Sequence, residues 1–167
     1  MNAFIDQVFG KFDKQWALVT AGVPGDYNTM TISWGGLGTL WNLPVATVYV
    51  RPTRFTHGFM EREGLFTVSF FDPVYKKDLG VLGTKSGRDC DKVALTRLEP
   101  LPVDTQLGQT VAFRQAELTL VCRKVFRQDI ERANIDPMVY AAHYEEGEQP
   151  HTMYVGEVIK VIKGRGM

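Results

Sequence analysis

The chain has 167 residues, enough for one ordinary domain over residues 1–167 whose core needs no disulfide or metal staple. Lysine plus arginine equal aspartate plus glutamate at 19 each, so no net field gathers polyanions and nucleic acid is excluded as the expected partner. No stretch nears the roughly 18 apolar residues of a membrane span, and Cys90 and Cys122 lack any CxxC or ligand-spaced histidine, so a reducing, cytoplasmic setting is expected, with neither export nor membrane insertion.

In chain order, Phe4, Ile5, Val8, Phe9 and Phe12 predict one apolar helix face before the first strand. WALVTAG at 16–22, TMTISW at 29–34, VATVYV at 45–50 and LFTVSFF at 65–71 are rich in valine, threonine and aromatics, the composition of strands. FTHGFMER offers two helical turns between the third and fourth of these. Asp72 and Pro73 then read as the cap and first position of another short helix that ends near Gly83. The run 111–126 and the run 153–164, which alternates loosely around Gly156, are each long enough to bend around a barrel. So many strands with short helices between them predict a mainly β chain, closed or partly closed as an antiparallel barrel, because closure removes exposed edges.

SWGGLGTLWNLP at 33–44 contains Gly35, Gly36 and Gly38, but neither spacing nor context is that of a dinucleotide turn, which must open a helix. It predicts a strand, a glycine loop, a turn at residues 42–44 and another strand. The glycines supply a bend or let the backbone approach something flat, and Trp34 and Trp41 supply core packing or a ligand wall.

Hydrogen-bond donors concentrate in RPTRFTH at 51–57. Pro52 ends the preceding strand, Thr53 then reads as a helix N-cap, and the first turn offers free backbone N–H groups to an anion on which Arg51 and Arg54 converge. The alternative is a capped helix with solvated arginines. SGRDCDK at 86–92 is the second concentration: a turn with Asp89 as a helix cap, or Ser86, Gly87 and Lys92 serving the same anion. Neither stretch is a Walker loop. His57, His143 and His151 show no HxxxH or HExxH pattern, so no metal centre is expected. Glu145, Glu146 and Glu148 read as a solvated turn around Gly147, and Cys122 as a core residue.

Taken together, NTMTISWGGLGTLWNLPVATVYVRPTRFTH, LFTVSFF and SGRDCDK resemble the flavin reductase-like family of FMN-binding split barrels, in particular its flavoredoxin-like branch, over most of residues 10–160. The resemblance implies a six-stranded Greek-key β-barrel, a homodimer and non-covalent FMN. It places Asn28, Thr29, Met30, Thr31, Ser33 and Trp34 along the isoalloxazine, and Arg51, Arg54 and Thr56 at the phosphate. Ser86, Gly87, Asp89 and Lys92 fall near the ribityl chain and phosphate. It implies an NAD(P)H-dependent flavin reductase with hydride transfer at flavin N5 and no named catalytic side chain. A non-catalytic FMN electron carrier between redox proteins stays open, as does a barrel for another phosphorylated aromatic such as a pyridoxal derivative. The stretch after Ile130, with NIDPMVY and HYEEGEQPH, is expected to shape the substrate side.

Overall fold

The computed structural model describes the backbone of residues 3–164 and the side chains of residues 8–164. Four helices, α1 (Ala3–Asp13), α2 (Phe55–Arg62), α3 (Lys76–Thr84) and α4 (Pro137–His143), are interspersed among nine strands. The strands are β1 (Ala17–Val23), β2 (Asp26–Ile32), β3 (Gly35–Leu40), β4 (Leu43–Val50), β5 (Leu65–Phe70), β6 (Pro100–Thr105), β7 (Gly108–Phe113), β8 (Leu118–Asp129) and β9 (Thr152–Lys163).

Seven strands form one antiparallel sheet in the order β2-β1-β5-β8-β9-β4-β3, and β6 and β7 pair separately. Its two edge strands, β2 and β3, are consecutive in the chain, with only Ser33 and Trp34 between them. A sheet whose opposite edges are two residues apart must curl back on itself. The main core confirms the curl: Val19, Met30, Val48, Phe66, Leu120 and Tyr154, from six different strands, share one buried cluster that Phe12 of α1 and Phe59 and Met60 of α2 complete. Those six strands enclose the barrel, and β3, which adds no residue to that cluster, extends the sheet as a seventh. β1 and β5 are buried on both faces, since a second layer of α3 and β7 residues, including Leu79, Leu82 and Phe113, packs outside Leu18 and Phe71.

Several sequence expectations need correction. The run 111–126 is not one strand: it breaks at residues 114–117, where Ala116 N–H turns back to the Phe113 carbonyl and Glu117 N–H bonds Phe70. The glycines at 35, 36 and 38 lie within β3 and not in a loop, and the turn sits at Trp41 and Asn42, both with left-handed φ (52° and 59°), so β4 already begins at Leu43. No helix follows Asp89, which closes a turn through its N–H to the Ser86 carbonyl. On α1, Phe12 is buried but Val8 and Phe9 are 48% and 67% exposed, so the expected apolar face is only partly covered; the side chains of Phe4 and Ile5 lie outside the described residues. Asp72 does cap its helix, accepting from Val74 N–H before the single 3-10 turn that leads into α3.

Gly156 explains the loose alternation seen in β9. A Cβ there would lie 2.4 Å from the Phe66 ring and 2.6 Å from Cys122 Cβ, so the ring occupies the space a side chain would take. The β8–β9 ladder shifts register between Val121 and Cys122 and between Lys124 and Phe126, which bends the pair and moves Val158 and Ile162 into different apolar clusters.

Candidate functional site

β4 runs out of the barrel at Val50, and the chain turns through residues 51–54, with Arg54 N–H bonded to the Arg51 carbonyl at 3.0 Å. Arg54, not Thr53, occupies the N-cap of α2, and no side chain caps the helix. Thr53 instead lines the neighbouring cleft. Thr56, in the first turn, is buried and accepts from Asn28 Nδ2 at 2.7 Å. This bond ties β2 to α2.

Opposite them, α3 ends at Thr84, and the loop 85–98 returns across its C-terminus. Asp78 anchors the loop by accepting from Arg97 N–H at 3.0 Å, Nε at 3.0 Å and Nη2 at 2.6 Å. Lys92 is 4% exposed, and its ammonium donates to the Leu82 carbonyl at 2.8 Å and the Lys85 carbonyl at 3.1 Å, near the negative end of the helix dipole. Arg54 Nη1 donates to Gly83 at 3.3 Å on the same helix end. Burial, and then the Arg54 charge, push the Lys92 pKa down from 10.5 to about 8.

Between these elements lies a cleft of about 140 Å³ lined by Asn28, Met30, residues 53–56, residues 82–88 and Lys92. Its lining holds Arg54, Lys85, Arg88 and Lys92 and no carboxylate. Among the described residues none of these four cations is in an ion pair. Lys92 alone of the four is buried, and a buried cation without a counter-charge is costly unless an anion completes it. Arg88 is held by its bond to the Thr53 carbonyl at 3.1 Å and by the Phe55 ring, 5.1 Å away. Gly87 is required by space: a Cβ would lie 2.2 Å from Asn28 Oδ1 and 3.0 Å from Phe55.

A second cleft, about 160 Å³, shares Met30 and Arg54 with the first and is otherwise lined by residues 31–34, Tyr49, Arg51 and His151. Trp34 stands over it, its ring centroid 4.9 Å from that of His151 and 5.3 Å from that of His143. His151 is 8% exposed, and its Nδ1 lies 2.8 Å from the Tyr144 hydroxyl. Burial, with the Arg51 charge behind it, pushes the His151 pKa down to about 4, so the ring is neutral at physiological pH.

Of the residues singled out in the sequence, Asn28, Met30, Arg54, Thr56, Ser86, Gly87 and Lys92 meet at the first cleft. Met30, Thr31, Ser33, Trp34, Arg51 and Arg54 meet at the second. Arg51 lines the second cleft beside Arg54 and not the first; it is paired with Glu148 and donates to the His143 carbonyl at 3.0 Å. Glu148 therefore has a partner, unlike the solvated residue expected. Thr29 lines neither cleft; its hydroxyl lies 2.8 Å from that of Thr20, and that of Thr31 bonds Leu79 at 2.5 Å, because alternate β2 side chains face outward beneath α3. Asp89 is exposed and outside both linings. His57 bonds Thr152 at 3.0 Å, away from both clefts, and Cys122 is buried, its thiol pushed up to about 12. Among the described residues no group of three His, Cys, Asp or Glu is placed to hold a metal.

Tyr49 and His151 had no assigned place in the sequence reading. Tyr49 belongs to an apolar run whose register is invisible without the sheet. His151 and Tyr144 lie in HYEEGEQPH, and their partners Trp34 and Arg51 are about a hundred residues away in the chain.

The model of the flavin reductase like domain family matches residues 9–166. A search of curated proteins finds no match. Among solved structures, a flavoredoxin from Methanosarcina acetivorans is 22% identical with a TM-score of 0.68, covering 90% of this chain and 69% of its own. An FMN-binding protein from Thermus thermophilus is 22% identical with a TM-score of 0.67, over 90% of this chain and 71% of its own. The NADH:FAD oxidoreductase of Streptomyces globisporus is 17% identical with a TM-score of 0.68, over 95% and 80%. At these identities the likeness is one of fold, a split barrel.

Proposed function

Because this chain belongs to the flavin reductase like domain family, we propose that it binds FMN non-covalently and works as an NAD(P)H-dependent flavin oxidoreductase. The observation that carries this reading is the pair of joined clefts, one cationic and free of carboxylates, the other walled by aromatic rings, meeting at Arg54 and Met30. A ligand with a dianionic phosphate and a planar head suits that pair. Arg54, Arg88 and Lys92, with the hydroxyls of Thr53, Thr56 and Ser86, hold the phosphate end. Residues 30–34 line the ring.

The bound flavin supplies an N5 that accepts hydride, so no protein acid or base is required. The protein's task is to hold the ring, keep water from it and leave one face open for the donor between Trp34, Tyr49 and His151.

Titration of apoprotein with FMN, read by quenching of flavin fluorescence, tests binding; R54Q/R88Q is expected to weaken it at least tenfold. Binding unchanged in that variant would end the reading. Rapid NAD(P)H oxidation on adding free flavin supports a reductase. Slow oxidation with prompt reduction by a protein donor would instead make it an electron carrier.

A homodimer belongs to the same proposal. An apolar groove of about 440 Å³ runs over β3, β4 and β9, lined by Leu37, Leu40, Trp41, Phe126 and Met153, and Tyr49 joins it to the second cleft. Trp41 is 58% exposed there, a large apolar surface for a lone chain. Light scattering is expected to give twice the chain mass. The free thiols of Cys90 and Cys122 fit the cytoplasmic setting we propose, and no helix among the described residues is long and apolar enough to cross a membrane.

A further inference from the structure

The segment from Ile135 to His151 is unusually well tied to the second cleft. Tyr144 closes α4 through its N–H to the Tyr140 carbonyl at 2.9 Å, and its ring stacks on that of Tyr140 at 5.2 Å. The Tyr140 hydroxyl in turn shares its one proton between the carbonyls of Glu145 and Glu148, at 3.1 and 2.9 Å. Arg51, paired with Glu148, lies 5.4 Å from the centroid of the Tyr144 ring. Tyr144 thus has little freedom, and its hydroxyl makes one bond among the described residues, to His151 Nδ1 at 2.8 Å.

A phenol O–H is a stronger donor than an imidazole N–H, and an imidazole nitrogen a stronger acceptor than a phenol oxygen. The bond therefore runs from Tyr144 to Nδ1, and the ring proton is left on Nε2, which has no partner among the described residues. We propose that Tyr144 is a positioning residue: it holds His151 as the neutral Nε2–H tautomer and so presents one uncharged donor to the cleft in which the flavin's electron donor is read. This rests on the reading of the second cleft given above. The charged groups facing the ring support it. Arg51 and Arg54 disfavour an imidazolium, and Glu148, the one carboxylate among them, is already paired with Arg51. A neutral N–H in that setting donates to a carbonyl oxygen of the ligand without bringing a further positive charge.

The test uses Tyr144→Phe, which keeps the stacked ring and removes the hydroxyl alone. Nitrogen-15 spectra of the whole apoprotein are expected to show His151 with Nε2 protonated and Nδ1 hydrogen-bonded, and in Tyr144→Phe a mixture of tautomers with a raised pKa. In the FMN-loaded protein the variant is expected to raise KM for NAD(P)H about fivefold, the loss of one neutral hydrogen bond, with FMN affinity unchanged. Tyr140→Phe removes the loop bonds but not the bond to His151, and separates collapse of the segment from loss of the tautomer. A tautomer and pKa unchanged in Tyr144→Phe would overturn the proposal. Failure of wild-type holoprotein to oxidise NAD(P)H would overturn the reading of the cleft while the apoprotein spectra still decide the role of Tyr144.

Discussion

Lys92 offers the sharpest quantitative test of the phosphate cleft. Its ammonium is 4% exposed and surrounded by carbonyls and cations, and its pKa falls from 10.5 to about 8. A bound phosphate would supply the missing counter-charge and return the pKa toward 10.5 or above. Only the protonated lysine completes the site, so affinity for FMN is flat from about pH 7 to 8, where the phosphate is a dianion, and falls above it. At pH 9.5 about 3% of the apoprotein carries a charged Lys92, and the FMN dissociation constant is about 30-fold higher than at pH 7, or about 2 kcal/mol. Stability of the apoprotein moves the other way. Between pH 8 and 10.5 the unfolded chain holds a proton on this lysine that the folded chain has lost, so unfolding free energy rises with pH, by about 2 kcal/mol from pH 7 to 9.5. Fluorescence titration with FMN and urea unfolding, each at several pH values on wild type and Lys92→Met, measure both slopes, and the difference between the proteins cancels the other titrating groups. The variant is expected to bind weakly at pH 7 and to lack both slopes. Identical pH profiles in wild type and variant would refute the argument, since they would mean that the buried ammonium does not titrate with the ligand.

Gly87→Ala places a methyl 2.2 Å from Asn28 Oδ1, so Asn28 must move and its bond to Thr56 is lost; FMN affinity is expected to fall at least tenfold by the same titration, with a loss of stability of ~1–3 kcal/mol from overpacking. Gly156→Ala meets Phe66 at 2.4 Å in the barrel core and is expected to destabilise by a similar ~1–3 kcal/mol in urea unfolding while leaving FMN stoichiometry unchanged. Cys122 is buried with its thiol pushed up to about 12, and Cys90 is exposed, so an aromatic disulfide reagent at pH 8 is expected to titrate one thiol in the native protein and two in denaturant. Glu148→Gln releases Arg51 and adds a positive charge beside the second cleft. The flavin potential is expected to rise, and potentiometry that finds no change would argue that the ring lies elsewhere.

Much of the barrel was legible in the residues themselves. β-branched and aromatic runs mark β1, β2, β4 and β5, since such side chains pack well on a pleated surface that is at least half buried. Pro52 and Pro73 mark chain turns because a missing N–H is a local fact, and the motifs around Asn28, Arg54 and Ser86 announce donors before any fold is known. What sequence could not show was where the chain bends without a breaker. Residues 114–117, Arg-Gln-Ala-Glu, contain no glycine or proline, and their turn is fixed by the bond from Glu117 N–H to the Phe70 carbonyl, which is at hand only once β5 is in place. The seventh strand was hidden in the same way, because a glycine-rich run becomes a strand only when β4 is there to pair with it.

At the site the division is sharper. Residue type determines that Arg54, Lys92 and Ser86 can meet an anion, a property each side chain carries alone. Partner choice belongs to the tertiary structure: it gave Arg51 to Glu148, turned Thr29 outward to Thr20, and set His151 between Tyr144 and Trp34. The physical reason is that charge neutralisation, strand phase and ring stacking are decided by distances of a few ångströms between residues far apart in the chain, and folding alone creates those distances.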